Sequence, residues 1–416
     1  MNTYVDIHIV QDLPPSCVNR DDSGSPKSAI YGGVQRLRIS SQSWKRATRH
    51  DFTDYLDASE LGTRTKRVVE VLAKEIARQA EDLSDQAQSL AEQVFQAAKI
   101  TLVAPRAKKG EEFPKSQESS YLIFLSHRQI AMLAELAIAS DRSGKALDKK
   151  AVKAIFKSGN SIDVALFGRM VADDADLNVD AACQVAHAIS THAAENEFDF
   201  YTAVDDEKAR SEEKEDAGAG MMGTVEFSSA TIYRYATINI GMLLENLGNN
   251  EATLRALTAF IRSFIRSMPT GKQNTFANRT LPDTVVIHIR EDQPVSFVGA
   301  FEKPVAQDLT EGYVTRSVRQ LADHERKLEE TYGFKPLHGF AVSMESPEAV
   351  ESLGERISFA DLDGRVREVV ARRLPAAAAE HASGSQEAEE AGYTAQVRSG
   401  YSFSPPTPPG GTHLAT

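Results

Sequence analysis

Four stretches of this chain carry residue types and spacings that chemistry could use. Asp21 and Asp22 stand side by side in the loop PPSCVNRDDSGSP. Paired carboxylates can hold a divalent metal for phosphodiester cleavage, although adjacent acids in a Ser/Gly/Pro loop more often form turns. His187 and His192 are five apart, so in a strand they face opposite ways, and no third ligand lies nearby in sequence. Gly218 to Gly223, GAGMMG, matches G-x-G-x-x-G literally, but it follows an acidic run and leads into TVEFSS. A nucleotide cradle needs strand, turn and helix N-terminus in that order, so this match is a decoy. The fourth stretch is Ile30 to His50, with Arg36, Arg38, Lys45, Arg46 and Arg49 and no acid, in a chain of net charge −12. Such a stretch reads equally as a solvated basic face or as a dock for something anionic. No nucleophile elbow is visible. No catalytic set, metal site or cofactor is expected.

The elements around the basic stretch are specific. Gly32-Gly33 makes a turn, Val34 to Ile39 reads as a strand, and Ser40-Ser41 can cap a helix starting near Gln42. Lys45 and Arg49 then share a helix face, and a cationic helix start suits phosphate oxygens. Arg20, Lys27 and Lys272 with Gln273 in PTGKQNTFA add further cationic and polar groups. No tandem aromatics of the kind that stack bases are present, so a binder built from these parts would hold a backbone and be largely indifferent to sequence.

The chain in order predicts a mixed fold. Val5, Ile7 and Ile9 alternate with Asp6 and His8, as in a half-buried first strand. Thr65 to Lys99 is amphipathic and helical. Pro105 to Gln117 is a charged loop, and Ser126 can cap a helix carrying Ile130, Leu133 and Ala137. A helix near Leu147 to Lys157 spaces Lys145, Lys149, Lys153 and Lys157 by four, with Lys150 adjacent; such a ridge usually serves solubility. Together, Thr65 to Gly159 reads as a helical insertion. Strand character is expected at Ile162 to Met170, Cys183 to Thr191, Phe198 to Val204 and Val225 to Ile240. The acid-rich segment Asp205 to Gly223 should be the flexible tip of a protruding hairpin. Helices are expected at Glu251 to Met268, Thr310 to Tyr332 and a segment ending near Leu374, with strands at Thr284 to Arg290, Val295 to Val298 and His338 to Met344. From Pro375 the composition collapses to Ala, Ser, Glu, Gly and Pro, which predicts a disordered tail.

Composition sets outer bounds. The 416 residues, 41% hydrophobic and 25% charged, suit a globular protein of more than one structural unit. The acidic total argues against a protein that coats nucleic acid indiscriminately, without excluding a local basic groove. Cys17 and Cys183 form neither a metal spacing nor a disulfide framework, no apolar run approaches a membrane span, and MNTYVDIHIV lacks a secretion signal. A reducing cytoplasm is the expected location.

The run SCVNRDDSGSPKSAIYGGVQRLRISSQSWKRA, with IDVALFGRM, AHAISTH, FDFYTAVDD, GTVEFSSATIYRYATIN and GAFEKP, closely resembles the backbone subunit of the type I-E CRISPR surveillance complex, Cascade. The resemblance spans roughly Met1 to Met344 and is weakest over the helical insertion. It implies an α+β fold shaped like a right hand. A ferredoxin-like, RNA-recognition-type palm would occupy 1–60 and 161–374. Helical fingers would fill 61–160, and a thumb hairpin about 195–230; the tail 375–416 has no counterpart.

The resemblance also implies a non-catalytic scaffold. Copies polymerise along the CRISPR RNA spacer, each thumb displaces a base at regular intervals, and the guide is presented to target DNA for pairing. Further partners are other Cascade subunits and a recruited nuclease-helicase. RNA contacts fall on Arg20, Lys27, Ser40, Gln42, Lys45, Arg46, Arg49, Lys272 and Gln273. Met170, Tyr201 and Thr202 flank the displaced base. Tyr201 stands where Phe is expected, a change that preserves stacking. Lys149, Lys150 and Lys153 match a patch that captures target duplex. A metal-dependent ribonuclease using Asp21/Asp22 and a general single-stranded RNA chaperone are the alternatives.

Overall fold

Strand β1 (Tyr4–Ser16) decides the architecture, because the sheet is built outward from it on both sides. In this computed structural model, which describes residues 2–105, 116–203 and 221–375, β1 pairs antiparallel with β11 (Met221–Asn239) on one side and β12 (Thr284–Arg290) on the other. Val5, Ile7 and Ile9 point to one face. Asp6 and His8 point to the other and are equally buried. The expected half-buried strand is therefore covered on both faces, and its polar side holds its charges in a packed layer.

The chain reaches that sheet in stages. A hairpin of β2 (Ser28–Tyr31) and β3 (Val34–Ile39) leads into α1 (Ser41–Asp51). The next segment is β4 (Gly62–Thr65), α2 (Val68–Gln79), α3 (Ala87–Ala97), β5 (Leu102–Val103), β6 (Glu118–Ser119), β7 (Ile123–Ser126), α4 (His127–Ser143) and α5 (Lys149–Lys157). It has a hydrophobic cluster of its own, including Leu72, Ile76, Val94, Leu133 and Phe156. Ser126 closes a capping box with Gln129 at the start of α4, as its position predicts. The expected helix over Thr65 to Lys99 is instead a strand end and two helices.

Then follow α6 (Ile162–Phe167), β8 (Cys183–Val185), β9 (Ala188–Ser190), β10 (Glu197–Ala203) and β11, the last two forming a long hairpin. After them come α7 (Ile240–Leu247), α8 (Asn250–Arg266), the short α9 (Gln273–Phe276), β12, α10 (Tyr313–Tyr332), β13 (His338–Ser343), α11 (Pro347–Val350), β14 (Glu355–Arg356) and α12 (Phe359–Ala371). The main sheet runs β14-β13-β12-β1-β11-β9-β3-β2 and is antiparallel except for β13 with β14. One face packs on α1, α8 and α12 through Trp44, Leu257, Phe260 and Val366. The other packs on α10 through Tyr233, Phe297, Phe301, Val318 and Leu321.

Three further sequence expectations are corrected. Ile162 to Met170 is not a strand: Ile162–Phe167 is helical, buried from Ile162 to Leu166, and its Asp163 accepts from Ser161 Oγ at 2.6 Å. A fully buried run this short has no periodicity to read. Cys183 to Thr191 is two strands, interrupted at Ala186 and His187. Val295 to Val298 is not a strand, because its backbone donors go to side chains. Val295 N donates to Asp6 Oδ2 at 2.9 Å and Phe297 N to the Tyr233 hydroxyl at 3.0 Å. The acidic segment to residue 220, most of the charged loop 105–117 and the tail beyond 375 lie outside the described residues.

Candidate nucleic-acid interface

The basic stretch is held by its own hydrogen bonds. Ser40 has extended backbone, and its hydroxyl accepts from Ser43 N at 3.3 Å, capping α1; such a cap contributes about 1 kcal/mol. Ser40 N donates to Asn19 Oδ1 at 2.8 Å, which ties the helix start to the loop carrying Arg20. That loop is closed by Asp21, whose Oδ1 accepts from Ser23 N, Ser23 Oγ and Ser25 N. The Ser23 hydroxyl leads in holding the Asp21 carboxyl below its usual range. The turn-forming use of Asp21 is thus visible in the structure.

Trp44 and Thr48 bury the inner side of α1. Beneath Trp44 lies the guanidinium of Arg234, 3.8 Å from the ring centroid. Arg234 is fully buried, burial lowers its pKa to about 9, and it donates to the Phe264 carbonyl and to Gln11 Oε1 at 2.7 Å. The Gln11 amide in turn donates to the Thr280 carbonyl at 3.1 Å and its hydroxyl at 3.0 Å. This chain of contacts fixes α1 and the 267–280 segment against the same sheet.

Between those two walls is an open cleft of about 1070 Å³. Arg20 from the loop, Arg46 from α1, and Lys272, Gln273 and Arg279 from the 267–279 segment line it together. Gly271 lets the walls approach: a Cβ there would stand 2.4 Å from the Val18 carbonyl oxygen. Lys272 follows in the left-handed region at φ 45°. Asp21, Asp22, Asp51 and Asp54 also line the cleft, so its formal charge is balanced. The Asp21 carboxylate is spent on its own loop, however, and burial raises the Asp51 carboxyl. Sequence reasoning missed Arg279, which lies two residues beyond the polar turn PTGKQNTFA.

Lys45 and Arg49 do share a helix side, as expected, but not the cleft side. Lys45 lies toward β8, where its charge acts on the buried Cys183 thiol. Arg49 stacks over Phe124 at 5.0 Å and sits 3.8 Å from the buried Asp163. Burial lowers the Arg49 pKa, and Asp163 opposes that shift. Gln42 is exposed, and Lys27 is half-buried with its backbone paired to Asn19 and Arg38. Arg36 is excluded from any interface: it is fully buried and donates to the Tyr31, Ser190 and Phe301 carbonyls.

The remaining expected residues lie elsewhere on the surface. Met170 is 75% exposed, following Arg169, which is locked inside by bonds to the Leu177 and Phe156 carbonyls. Tyr201 and Thr202 are exposed on β10, alongside Phe198 and Phe200. Tyr201 pairs across the hairpin with Gly223, and a Cβ at Gly223 would lie 2.6 Å from the tyrosine hydroxyl. The last glycine of the decoy motif is therefore the bed of an aromatic ring. On α5, Lys149 and Lys150 are exposed, while Lys153 is bonded to Asp174 at 2.5 Å. Among the described residues no group of three or more His, Cys, Asp or Glu could hold a metal ion, and no helix is long and apolar enough to cross a membrane.

The fold and this surface define an α+β protein with a cationic helix beside a polar cleft, a class suited to a sugar-phosphate backbone. The chain belongs to the CT1975-like protein family, whose pattern matches residues 5–368. Two similar solved structures support the resemblance drawn from the sequence. One is a chain of a "CRISPR RNA-guided surveillance complex, pre-nicking", at 35% identity and TM-score 0.77. The other is a chain of a "CRISPR RNA-guided surveillance complex", at 30% identity and TM-score 0.67. Each match covers 88% of this chain and 99% of the other. No curated protein matches the chain.

Proposed function

We propose that this chain is a non-catalytic component of a CRISPR RNA-guided surveillance complex that holds the guide RNA by its backbone. The observation that carries this reading is convergence. Arg20, Arg46, Lys272 and Gln273 come from three separated stretches and line one cleft. They sit beside a capped helix whose other flank presents Gln42, Lys45 and Arg49. Phosphate contacts of this kind position a strand without reading its sequence. In this reading copies of the chain polymerise along the spacer of the CRISPR RNA. The β10–β11 hairpin acts as the thumb that displaces a base, with Met170, Tyr201 and Thr202 flanking it. The segments between displaced bases stay free to pair with target DNA. Other subunits and a recruited nuclease-helicase complete the pathway.

The test is single-stranded RNA binding by the full chain at several salt concentrations. Replacing Arg20, Arg46 and Lys272 together by alanine should weaken binding and lower the salt slope by roughly 2, since each lost single-strand phosphate contact contributes about 0.7. An unchanged slope would overturn the reading.

A further inference from the structure

A second cationic group lies away from the cleft, where the end of β3 meets the β8–β9 connection. Arg38 Nη1 meets His187 Nδ1 at 3.2 Å, and Arg38 Nε donates to the Ser28 carbonyl at 3.1 Å, which fixes the guanidinium plane. Lys27 is adjacent: its carbonyl accepts from Arg38 N at 2.8 Å. A guanidinium can only donate, so His187 Nδ1 must be the acceptor, and the proton of the neutral ring resides on Nε2. The ring is exposed and therefore offers an N–H donor beside two cations.

The site holds cations without acids. Several surface arginines elsewhere do carry acids: Arg255 holds Glu60, Arg262 holds Asp363, Arg319 holds Glu311 and Arg367 holds Glu251. Among the described residues neither Lys27 nor Arg38 is ion-paired to a carboxylate. The groups acting on His187 are Arg38 from β3 and Lys27 from the preceding loop, both cations; after burial, they lower its pKa. Two half-buried cations and an exposed imidazole N–H, with no carboxylate paired to the cations, are stabilised when an anion arrives.

We propose that Lys27, Arg38 and His187 form a phosphate site that takes a phosphodiester of single-stranded RNA, extending the contact surface from α1 onto β3 and the β8–β9 connection. This rests on the RNA-binding reading above. A phosphate at the site favours the imidazolium, whose protonated Nδ1 gives up the Arg38 bond and frees that guanidinium N–H for the anion, so the complex binds more protons than the free chain. Affinity therefore rises as pH falls across the histidine range, about pH 8 to 5. His50 lines the cleft and contributes a pH dependence of its own, so the informative quantity is the difference made by changing His187 alone.

The experiment measures binding of a labelled oligouridylate to the full chain, as wild type, Arg38→Ala, His187→Gln and the Arg20/Arg46/Lys272 triple alanine variant, across pH and salt. Arg38→Ala should weaken binding several-fold and lower the salt slope by about 0.7. His187→Gln keeps a side-chain donor but cannot ionise. It should bind like wild type at pH 8 and lose part of the gain on acidification. If the triple variant loses RNA while Arg38→Ala keeps wild-type affinity and slope, or His187→Gln keeps the full pH response, the site is refuted and the RNA reading stands. If none of the variants changes binding, the RNA reading itself falls.

Discussion

A single glycine sets how the cleft is assembled. Gly271 lies against the Cys17 and Val18 carbonyls, with its missing Cβ position 2.6 Å and 2.4 Å from their oxygens. Backbone atoms in a tied-down loop cannot yield as a flexible side chain can. Gly271→Ala should push the 267–273 segment away from the Arg20 loop, separating Lys272 and Gln273 from Arg20. The expected outcome is a loss of about 1–3 kcal/mol of stability from overpacking together with weaker RNA binding. Denaturant midpoints and the binding titration check both, and wild-type affinity would show that the wall does not need this approach. Arg20, Arg46, Lys272 and Gln273 of the cleft were legible in the sequence as cationic and polar groups, whereas Arg279 and the facing acids Asp51 and Asp54 were not. Nor were the pairing states of the other basic residues: Arg36 is buried on carbonyls, Arg49 has Asp163 and Lys153 has Asp174. Those partners come from distant parts of the chain, and spacing says nothing about them.

Among the elements, legibility followed length and periodicity. The long amphipathic helices α8 and α10 were readable within a few residues, as were the Ser40 and Ser126 caps, since each rests on local geometry. The short buried α6 and the strandless 295–298 segment were not, because burial and bonds to Asp6 and Tyr233 are tertiary facts. The helix α5 shows the same divide. Its lysine ridge was visible, but only Lys149 and Lys150 are exposed, while Lys153 bridges to Asp174 and Asp176. Replacing Lys149 and Lys150 by alanine should spare RNA loading and slow capture of target duplex by the assembled complex. Lys153→Ala alone should have a smaller effect on capture, because its charge is already partly spent. Association kinetics with duplex DNA separate these variants; a loss of RNA loading in the first would place α5 against the guide instead.

At the scale of the whole molecule, one face of the sheet packs on α1, α8 and α12, and the other carries a buried polar layer under α10. Asp6, His8, Tyr233, Tyr235, His288, Arg290 and Glu325 are packed between β1, β11, β12 and α10. Asp6 lies 3.3 Å from Arg290, and His288 Nε2 is 3.2 Å from Glu325 Oε1 and 2.8 Å from the Leu353 carbonyl. Burial, then Glu329, raises the Glu325 pKa to about 8, and burial lowers that of His288 to about 4. At neutral pH the pair is therefore uncharged, with Glu325 protonated. A carboxyl whose folded pKa exceeds its unfolded value favours the fold fully only below the unfolded value of 4.5. That contribution shrinks as pH rises and is gone above about 8, at a total cost on the order of 5 kcal/mol. Glu325→Gln removes the ionisation and keeps the shape. Its melting temperature should stay nearly level from pH 6 to 9, while the wild type declines relative to it; parallel curves would refute the buried neutral carboxyl. RNA affinity at pH 7 should be unchanged in this variant, because Glu325 packs on the sheet face opposite α1 and the cleft.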